Sequence, residues 1–283
     1  MPGMRIALID IGGTNTRFAV TNEKDGTGLL TSVEVVSTSY AYDIFLQLVD
    51  EQRQRIGAID RVGVSFGVGL VNGVVHGASK MNDFIGRNIA SDIEQIFKAP
   101  VTVHHDCVCA VAAISSEIQE GESYGYVTVS TGVGAAVVTN LGSALFFERL
   151  RLAHHVIDQH SEDRCSCGRK GCMAILIDGS RWQQKGTPLD TITDKCFWDQ
   201  YVTSLATGLA NFCRMFSLRK LSIGGGVLSN DAVNRKLVQS VLDNLPDDGY
   251  PRSVINIVPG EQMAPLRGAC KLAFTESAFY KEF

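Results

Sequence analysis

Hydrophobic and polar positions along the chain follow two periods, which predict strands and helices in turn. Arg5–Asp10 is a short β-rich run, the turn Gly12–Thr14 follows it, and Arg17–Val20 resumes as a strand. Tyr126–Val138 repeats this order of strand, glycine- and threonine-rich turn, and strand. A pattern that recurs further along the chain at about the length of one domain predicts two duplicated halves.

The remaining chain shows apolar spacing typical of helices and short apolar runs typical of buried strands. The predicted helices are Tyr40–Arg55, Ser91–Phe97, Cys107–Ile118, Trp198–Phe216 and Leu266–Phe283. The predicted strands are Arg61–Gly67, Val101–His104, Leu221–Ile223 and Ile255–Val258. Strands and helices that alternate with glycine turns indicate an α/β protein.

The length of 283 residues favours two domains. No linker rich in proline, serine and glycine divides the chain, so we expect the domains to share an interdomain cleft. We place an N-terminal α/β domain at residues 1–103 and a larger C-terminal α/β domain at residues 104–283. The closing helix from about residue 266 is expected to pack back on the N-terminal domain.

Composition and charge exclude several classes of protein. Charged residues make up 20% of the chain, the formal net charge is −4, and no block of lysine and arginine is present, so a nucleic-acid partner has no electrostatic support. The longest apolar runs have the length of strands, which excludes a membrane-spanning helix. The N-terminus lacks a cleavable signal pattern, and we therefore expect a cytoplasmic protein.

Glycine is enriched at 28 residues, and three glycine turns follow predicted strands. Phosphate oxygens need backbone N–H donors that approach closely, which residues without a Cβ allow, and an adjacent carboxylate can hold Mg²⁺. One such turn could equally be a plain hairpin, but three turns at strand ends favour nucleotide binding. The predicted nucleotide- and phosphate-binding residues are Asp10, Gly12, Gly13, Thr14, Thr131, Gly132, Gly134, Gly225 and Gly226.

Three of the eight cysteines form a tight cluster in a loop-like segment, namely Cys165, Cys167 and Cys172. Together with His155 they offer three thiolates and one imidazole, the donor set of a tetrahedral Zn²⁺ site, and reduced surface cysteines are the weaker alternative. The set leaves no open coordination position, so the metal would be structural and would order the loop. His154 and His160 lie nearby in the sequence and are alternative ligands.

Asp106 follows the predicted strand Val101–His104 and precedes a predicted helix. A carboxylate at this place can accept a proton from a substrate hydroxyl while the hydroxyl oxygen attacks phosphorus. Aspartate before a helix is also a common N-cap. The pattern by itself leaves both roles open.

Four segments of the sequence resemble the ROK family of sugar kinases and related repressors. They are Asp10-Ile-Gly-Gly-Thr14, Ser130-Thr-Gly-Val-Gly134, His155 with Cys165-x-Cys-Gly-x-x-Gly-Cys172, and Ile223-Gly-Gly-Gly-Val227. The resemblance implies a two-domain actin-like ATPase (ribonuclease-H-like) fold with a structural zinc loop. It also implies phosphorylation of a hexose-type sugar by ATP with Mg²⁺. Asp106 would be the catalytic base, and His105, Asp106 and His155 would bind the sugar.

The sugar pocket departs from the family pattern. The family usually has asparagine before the catalytic aspartate, where this chain has His105. Glutamates that normally bind sugar hydroxyls are replaced by Leu152 and Ala174, and the segment Phe146–Arg151 replaces glycines that commonly precede the zinc histidine. A site built to bind hydroxyls loses discrimination when their acceptors are lost. We therefore expect glucose to be a poor substrate.

The leading expectation is an ATP:sugar phosphotransferase that acts on a hexose or N-acylhexosamine, with an N-acetylmannosamine-type sugar favoured over glucose. The alternative is a catalytically weak or inactive ROK-like sugar or nucleotide sensor without a DNA-binding domain, because the chain begins directly at the first strand. An actin-like ATPase that acts on protein partners is disfavoured by the zinc element. The expected partners are the sugar, ATP and a second copy in a homodimer, without nucleic acid or membrane.

Overall fold

The computed structural model describes residues 4–71, 73–77, 81–130, 132–177, 186, 189–229, 231–245, 253–258, 263–275 and 277–281. The chain divides into two units. The first unit comprises Met1–Glu117, Ser143–Arg149 and Met263–Phe283, and the second comprises Ile118–Gly142 and Leu150–Gln262. The first unit therefore extends beyond residue 103 and takes in the C-terminal segment.

In the described residues, the first unit contains a mixed main sheet of five strands and four further strands outside that sheet. Its strands are β1 (Ile6–Ile11), β2 (Asn15–Thr21), β3 (Thr31–Ser37), β4 (Arg61–Phe66), β5 (Gly69–Val71), β6 (Val74–Gly77), β7 (Val101–His105), β10 (Leu145–Leu150) and β13 (Ala278–Lys281). The main sheet has the order β3-β2-β1-β4-β7, antiparallel from β3 to β1 and parallel from β1 to β7. β5 and β6 form an antiparallel hairpin, and β10 pairs with β13 in parallel.

Helices cover the sheet of the first unit because apolar side chains line one face of each helix. They are α1 (Tyr42–Ile56), α2 (Ile89–Phe97), α3 (Asp106–Ala113) and α7 (Ala264–Leu272). Phe45, Phe66 and Phe84 are fully buried, and the ring centroids of Phe45 and Phe84 lie 5.2 Å apart. A Cβ at Gly268 would overlap the carbonyl of Cys109, so this glycine lets α7 lie directly against α3.

The second unit repeats the arrangement of the first. Its strands β8 (Ser123–Val129), β9 (Val133–Asn140), β11 (Lys220–Gly224) and β12 (Val254–Ile257) lie in the order β12-β11-β8-β9. β8 and β9 are an antiparallel hairpin, and β8, β11 and β12 are parallel, as β1, β4 and β7 are. The helices are α4 (Met173–Ile177), α5 (Lys195–Met215) and α6 (Asp231–Asn244).

The repeated sheet confirms the prediction of two duplicated halves, since β1–β2 and β8–β9 occupy equivalent places. The predicted closing helix Leu266–Phe283 is wrong in its second half. The helix ends at Leu272 and residues Ala278–Lys281 form a strand, in which aromatic residues suit the paired backbone of β10. Within the described part of the chain, no helix has the length and apolar character needed to cross a membrane.

Candidate functional site

Asp10 lies near the end of β1 with its carboxylate buried in the first unit. Its Oδ1 accepts a hydrogen bond of 2.8 Å from the Ser65 hydroxyl, and its Oδ2 lies 2.9 Å from the Arg17 guanidinium. Burial raises the pKa of the Asp10 carboxyl to about 6. The hydrogen bond from Ser65 opposes the shift, the nearby charge of Asp106 adds to it, and Arg17 also lowers it. The Asp10 carboxylate lies near the end of β1, just before the glycine turn, where a carboxylate can hold a cation such as Mg²⁺.

The turn after β1 is open to solvent at the residues predicted to bind phosphate. Gly13 and Thr14 are exposed, and a Cβ at Gly13 would meet no atom within 4 Å. The carbonyls of Gly12 and Gly13 accept hydrogen bonds from the hydroxyls of Thr38 and Tyr40, each 2.7 Å long. Hydrogen bonds from Thr38 and Tyr40 therefore fix the turn, while Gly13 and Thr14 stay accessible to a ligand.

His105 and Asp106 mark the junction of β7 and α3. The His105 Nδ1 lies 2.8 Å from Asp106 Oδ1, and the backbone N–H of Cys107 donates to the same oxygen at 2.6 Å. The Cys107 N–H also lies 3.3 Å from this nitrogen, but the contact with the carboxylate is shorter, and we therefore assign a proton to Nδ1 that it donates to Asp106. Burial raises the pKa of Asp106, but the charge and hydrogen bond of His105 and the hydrogen bonds of Cys107 outweigh burial and lower the pKa overall.

The other carboxylate oxygen of Asp106 faces a glycine that also contacts the first turn. A Cβ at Gly67 would lie 3.5 Å from Asp106 Oδ2, 3.5 Å from the carbonyl oxygen of Ile11 and 3.9 Å from the Cα of Gly12. The Asp106 side chain is 32% exposed. A partly exposed carboxylate thus lies beside the turn that is suited to phosphate.

The glycine turns of the second unit differ from one another. A Cβ at Gly132 would meet no atom within 4 Å, and the Gly132 carbonyl accepts a hydrogen bond from Ser130 N. Gly226 is equally open, whereas a Cβ at Gly225, with φ +112°, would overlap the carbonyl of Val129. Gly225 is therefore required by packing against β8. Gly134 lies in β9, and Thr131 lies outside the described residues.

Three cysteines and a histidine of the second unit converge as a possible metal centre. The donor atoms of His154, Cys165, Cys167 and Cys172 all lie within 4.8 Å of one another. His154 Nδ1 is 3.4 Å from Cys165 Sγ, and Cys167 Sγ is 3.6 Å from Cys172 Sγ. Ligands at tetrahedral corners about 2.3 Å from a Zn²⁺ ion would be separated by about 3.8 Å, so the donor set fits this metal.

The glycines within the cysteine motif shape the loop. Gly168 and Gly171 have φ values of +89° and +69°, in the left-handed region that favours glycine. A Cβ at Gly171 would overlap the carbonyl of Asp158. These two residues turn the chain so that Cys165 and Cys172 lie near each other.

The histidine of this cluster differs from the prediction. The structure brings His154, and not His155, to the cysteines, while the Nε2 of His155 lies 3.3 Å from Asn211 Nδ2. The 3₁₀ turn Leu152–His154 ends at this point and the chain becomes extended at His155, which directs the two neighbouring rings apart. Whichever histidine is taken as reference, the residue three positions before it is Arg151 or Leu152, so the family's glutamate is absent.

Several residues of the site gave no signal in the sequence. Ser65, Arg17 and Gly67 reach Asp10 or Asp106 only because β1, β2 and β4 are adjacent in the sheet. Their register pairs Asp10 with Arg17 on one side and with Ser65 on the other. A correct prediction of strand pairing would have found two of the three.

Comparison with known proteins supplies the family. A glucokinase of Pyrobaculum calidifontis is 28% identical over 171 residues, which cover 53% of this chain and only 57% of that protein. An N-acetylmannosamine kinase of Vibrio cholerae serotype O1 is 24% identical over 248 residues, or 79% of this chain and 84% of that protein. The crystal structure of the ROK hexokinase from Thermus thermophilus matches with a TM-score of 0.76 at 22% identity, over 96% of this chain and 99% of that one, which shows the actin-like ATPase fold. Since the sequence model of the ROK family also matches residues 6–276, the protein belongs to the ROK family.

Proposed function

We propose that the protein is an ATP-dependent sugar kinase with Asp106 as its catalytic base. The observation that carries the proposal is the position of Asp106 Oδ2, which faces Gly67 beside the Gly12 turn. A base must lie within reach of the acceptor hydroxyl, and the phosphoryl donor must lie beside both. The sugar kinases among the relatives support the same activity.

Asp106 accepts the proton of the acceptor hydroxyl at Oδ2 while the hydroxyl oxygen attacks the terminal phosphorus of ATP. The new O–P bond forms as the bond from phosphorus to the bridging oxygen of ADP breaks. The lowered pKa keeps Asp106 ionised, which orients the hydroxyl from the start. Proton transfer is completed late, once the bond to phosphorus has made the hydroxyl acidic.

The Gly12–Thr14 turn and the turn containing Gly132 and Gly134 are proposed to bind phosphate, with Thr131 included from the sequence and Gly226 near the nucleoside. Asp10 would hold Mg²⁺, which neutralises phosphate charge when it is bound with ATP. Gly225 is proposed to bind the nucleotide through its backbone, and its contact with the Val129 carbonyl also makes it a packing position between β11 and β8.

A structural Zn²⁺ ion is proposed for the cluster of His154, Cys165, Cys167 and Cys172. Three sulfur donors and one nitrogen donor leave no open position, so the ion would order the loop and would take no part in phosphoryl transfer. His155 then remains available as the sugar ligand that the sequence predicts.

The acceptor is proposed to be a hexose or N-acylhexosamine, with an N-acetylmannosamine-type sugar favoured over glucose. Leu152 and Ala174 are each only 8% exposed and carry no polar side-chain atom, so neither can accept a hydrogen bond from a sugar hydroxyl. Recognition of the plain hydroxyl pattern of glucose is correspondingly weaker. The N-acetylmannosamine kinases among the relatives agree with this preference.

A coupled assay of ADP release over a panel of hexoses and N-acylhexosamines tests the proposal. We expect turnover of at least one sugar, with N-acetylmannosamine ahead of glucose. Release of ADP with none of the sugars, combined with stabilisation by one of them, would instead identify a sugar sensor.

A further inference from the structure

Arg149 places a guanidinium group beside the segment that faces Asp106. It belongs to β10, and its Nη1 would lie 3.2 Å from a Cβ built on Gly69. Gly69 begins β5 and follows Gly67 by two residues. The backbone of each glycine, which carries no side chain, therefore lies next to a functional group of the first unit: Asp106 at Gly67 and Arg149 at Gly69.

The guanidinium and the catalytic carboxylate are close enough for one ligand to contact both. Gly67 faces Asp106 Oδ2, and two residues of extended chain span at most about 7 Å. The thiol of Cys107, the residue after Asp106, is close enough to both groups for each to influence its pKa. Burial and Asp106 raise the pKa of this thiol, whereas the charge of Arg149 lowers it.

Arg149 has no electrostatic partner of its own within the residues that the structure describes. It is half-buried and takes part in no hydrogen bond or ion pair there. The adjacent carboxylate, Glu148, is engaged by Lys281. A half-buried guanidinium that forms no ion pair with a described residue is available to a bound anion. Its planar donors match a carboxylate or a phosphate group.

Arg149 lies where an acceptor sugar bound at Asp106 could contact it. Gly67 contacts the backbone of Ile11 and Gly12, so the proposed phosphate turn and Asp106 meet at this glycine. Arg149 meets the same segment two residues further along, at Gly69. The phosphate turn and the base therefore meet at Gly67, and the guanidinium lies at Gly69, within reach of an acceptor whose hydroxyl is bound at the base.

We propose that Arg149 binds an anionic substituent, a carboxylate or a phosphate group, on the sugar whose hydroxyl Asp106 deprotonates. The inference rests on the proposed kinase function and narrows it. The acceptor is then a hexose or N-acylhexosamine derivative that carries an acidic group, and Arg149 determines specificity without taking part in proton transfer.

The test compares acidic sugars with their neutral counterparts, in both turnover and binding. The carboxylate arm uses aldonates and uronates, and the phosphate arm uses sugar 1-phosphates and 6-phosphates. In either the carboxylate arm or the phosphate arm, kcat/KM for an acidic sugar should exceed kcat/KM for its neutral counterpart. Arg149→Met, which keeps the apolar stem, should reduce this ratio about ten- to a hundredfold, mainly through KM, since charge-assisted hydrogen bonds to the anion are lost.

Two further variants separate charge from fold. Arg149→Lys should retain part of the preference because it keeps the charge but not the planar fork. Arg55→Met, a change of the same kind at an exposed arginine of α1 that pairs with Glu34, should leave the preference unchanged. Thermal unfolding of each variant would identify a loss that comes from misfolding.

The outcomes for the kinase and for Arg149 are distinguishable. Turnover of neutral and acidic sugars with equal efficiency, and an equal loss for both in Arg149→Met, would overturn the anion site and place Arg149 on the transferred phosphoryl group. The kinase proposal would stand. Absence of all turnover would contradict the kinase, yet calorimetric binding of an acidic sugar that Arg149→Met abolishes would still support the anion site.

Discussion

The Nδ1 of His105 lies 2.8 Å from Oδ1 of Asp106 and fixes the carboxylate at the point where β7 passes into α3. With the N–H of Cys107 on the same oxygen, one side of the carboxylate is satisfied within the protein. Oδ2 is left facing Gly67. His105 thus orients the carboxylate proposed as the base and stabilises its charged form.

Removal of the His105 ring should move the acid limb of the pH–rate profile to higher pH. Without the imidazole, burial is opposed only by Cys107, so the pKa of Asp106 rises and the base is protonated over a wider range. The measurement is kcat/KM against pH for wild type and His105→Ala. His105→Asn should shift the limb less, since its amide can still donate to Oδ1, and identical limbs in all three proteins would exclude this role.

Asp10 should make the protein less stable as the pH rises from about 4 to about 6. Its folded pKa of about 6 lies above the ordinary value of 3.8, so the folded state holds its proton longer than the unfolded state does. The cost of ionisation then grows over this window and levels off above it, reaching roughly 3 kcal/mol.

Urea unfolding without added magnesium measures this effect in wild type and in Asp10→Asn. The difference between the two free energies of unfolding should change over this pH window and be constant above about pH 7. A difference that does not vary with pH would show that the carboxyl titrates normally.

The metal centre should depend on His154 and not on His155. We expect about one Zn²⁺ per chain, loss of most of it in His154→Ala and in Cys167→Ser, and retention in His155→Ala, because only His154 reaches the cysteines. Elemental analysis of the purified variants decides this. Zinc lost from His155→Ala and kept by His154→Ala would restore the histidine that the sequence predicts.

Two glycines should respond to valine in opposite ways. Gly132→Val has room for its side chain, so the fold should persist while ATP affinity falls, because a side chain would occupy the space that phosphate needs. Gly225→Val should lower the melting temperature, since its φ of +112° and the Val129 carbonyl exclude a Cβ. Calorimetry with ATP and thermal unfolding measure the two effects. Unchanged ATP affinity in Gly132→Val would remove this turn from the nucleotide site.

The elements that the sequence predicted well are those whose burial is complete or strictly periodic. β1 is apolar at every position but Asp10, and α5 shows a buried stripe over 21 residues. β3 was missed because its positions are largely exposed and carry no alternating pattern. The β5–β6 hairpin was missed because its strands are short.

The site was predictable where a motif contains its own chemistry, as in the cysteine cluster. It was not predictable where two residues of the same type are neighbours in the sequence and only the backbone geometry determines which side chain reaches the site. His154 and His155 are equivalent in composition, and only the end of a 3₁₀ turn separates their directions. Arg149 is one of two arginines in the segment Phe146–Arg151, and only the placement of β10 directs it to Gly69.

Asp106→Asn is the most direct test of Asp106 as the catalytic base. His105 is the N-cap of α3 and Asp106 is its first residue. Asparagine keeps the size of the side chain and can still accept the hydrogen bond from the Cys107 N–H, so melting temperature and ATP binding should be close to those of wild type. Turnover of the best sugar, measured as ADP release, should fall about a hundred- to ten-thousandfold, the usual contribution of a positioned acid–base group. Turnover within a few fold of wild type would contradict the role of Asp106 as the base. Asp106 would then only stabilise the start of α3, through its hydrogen bond from the Cys107 N–H.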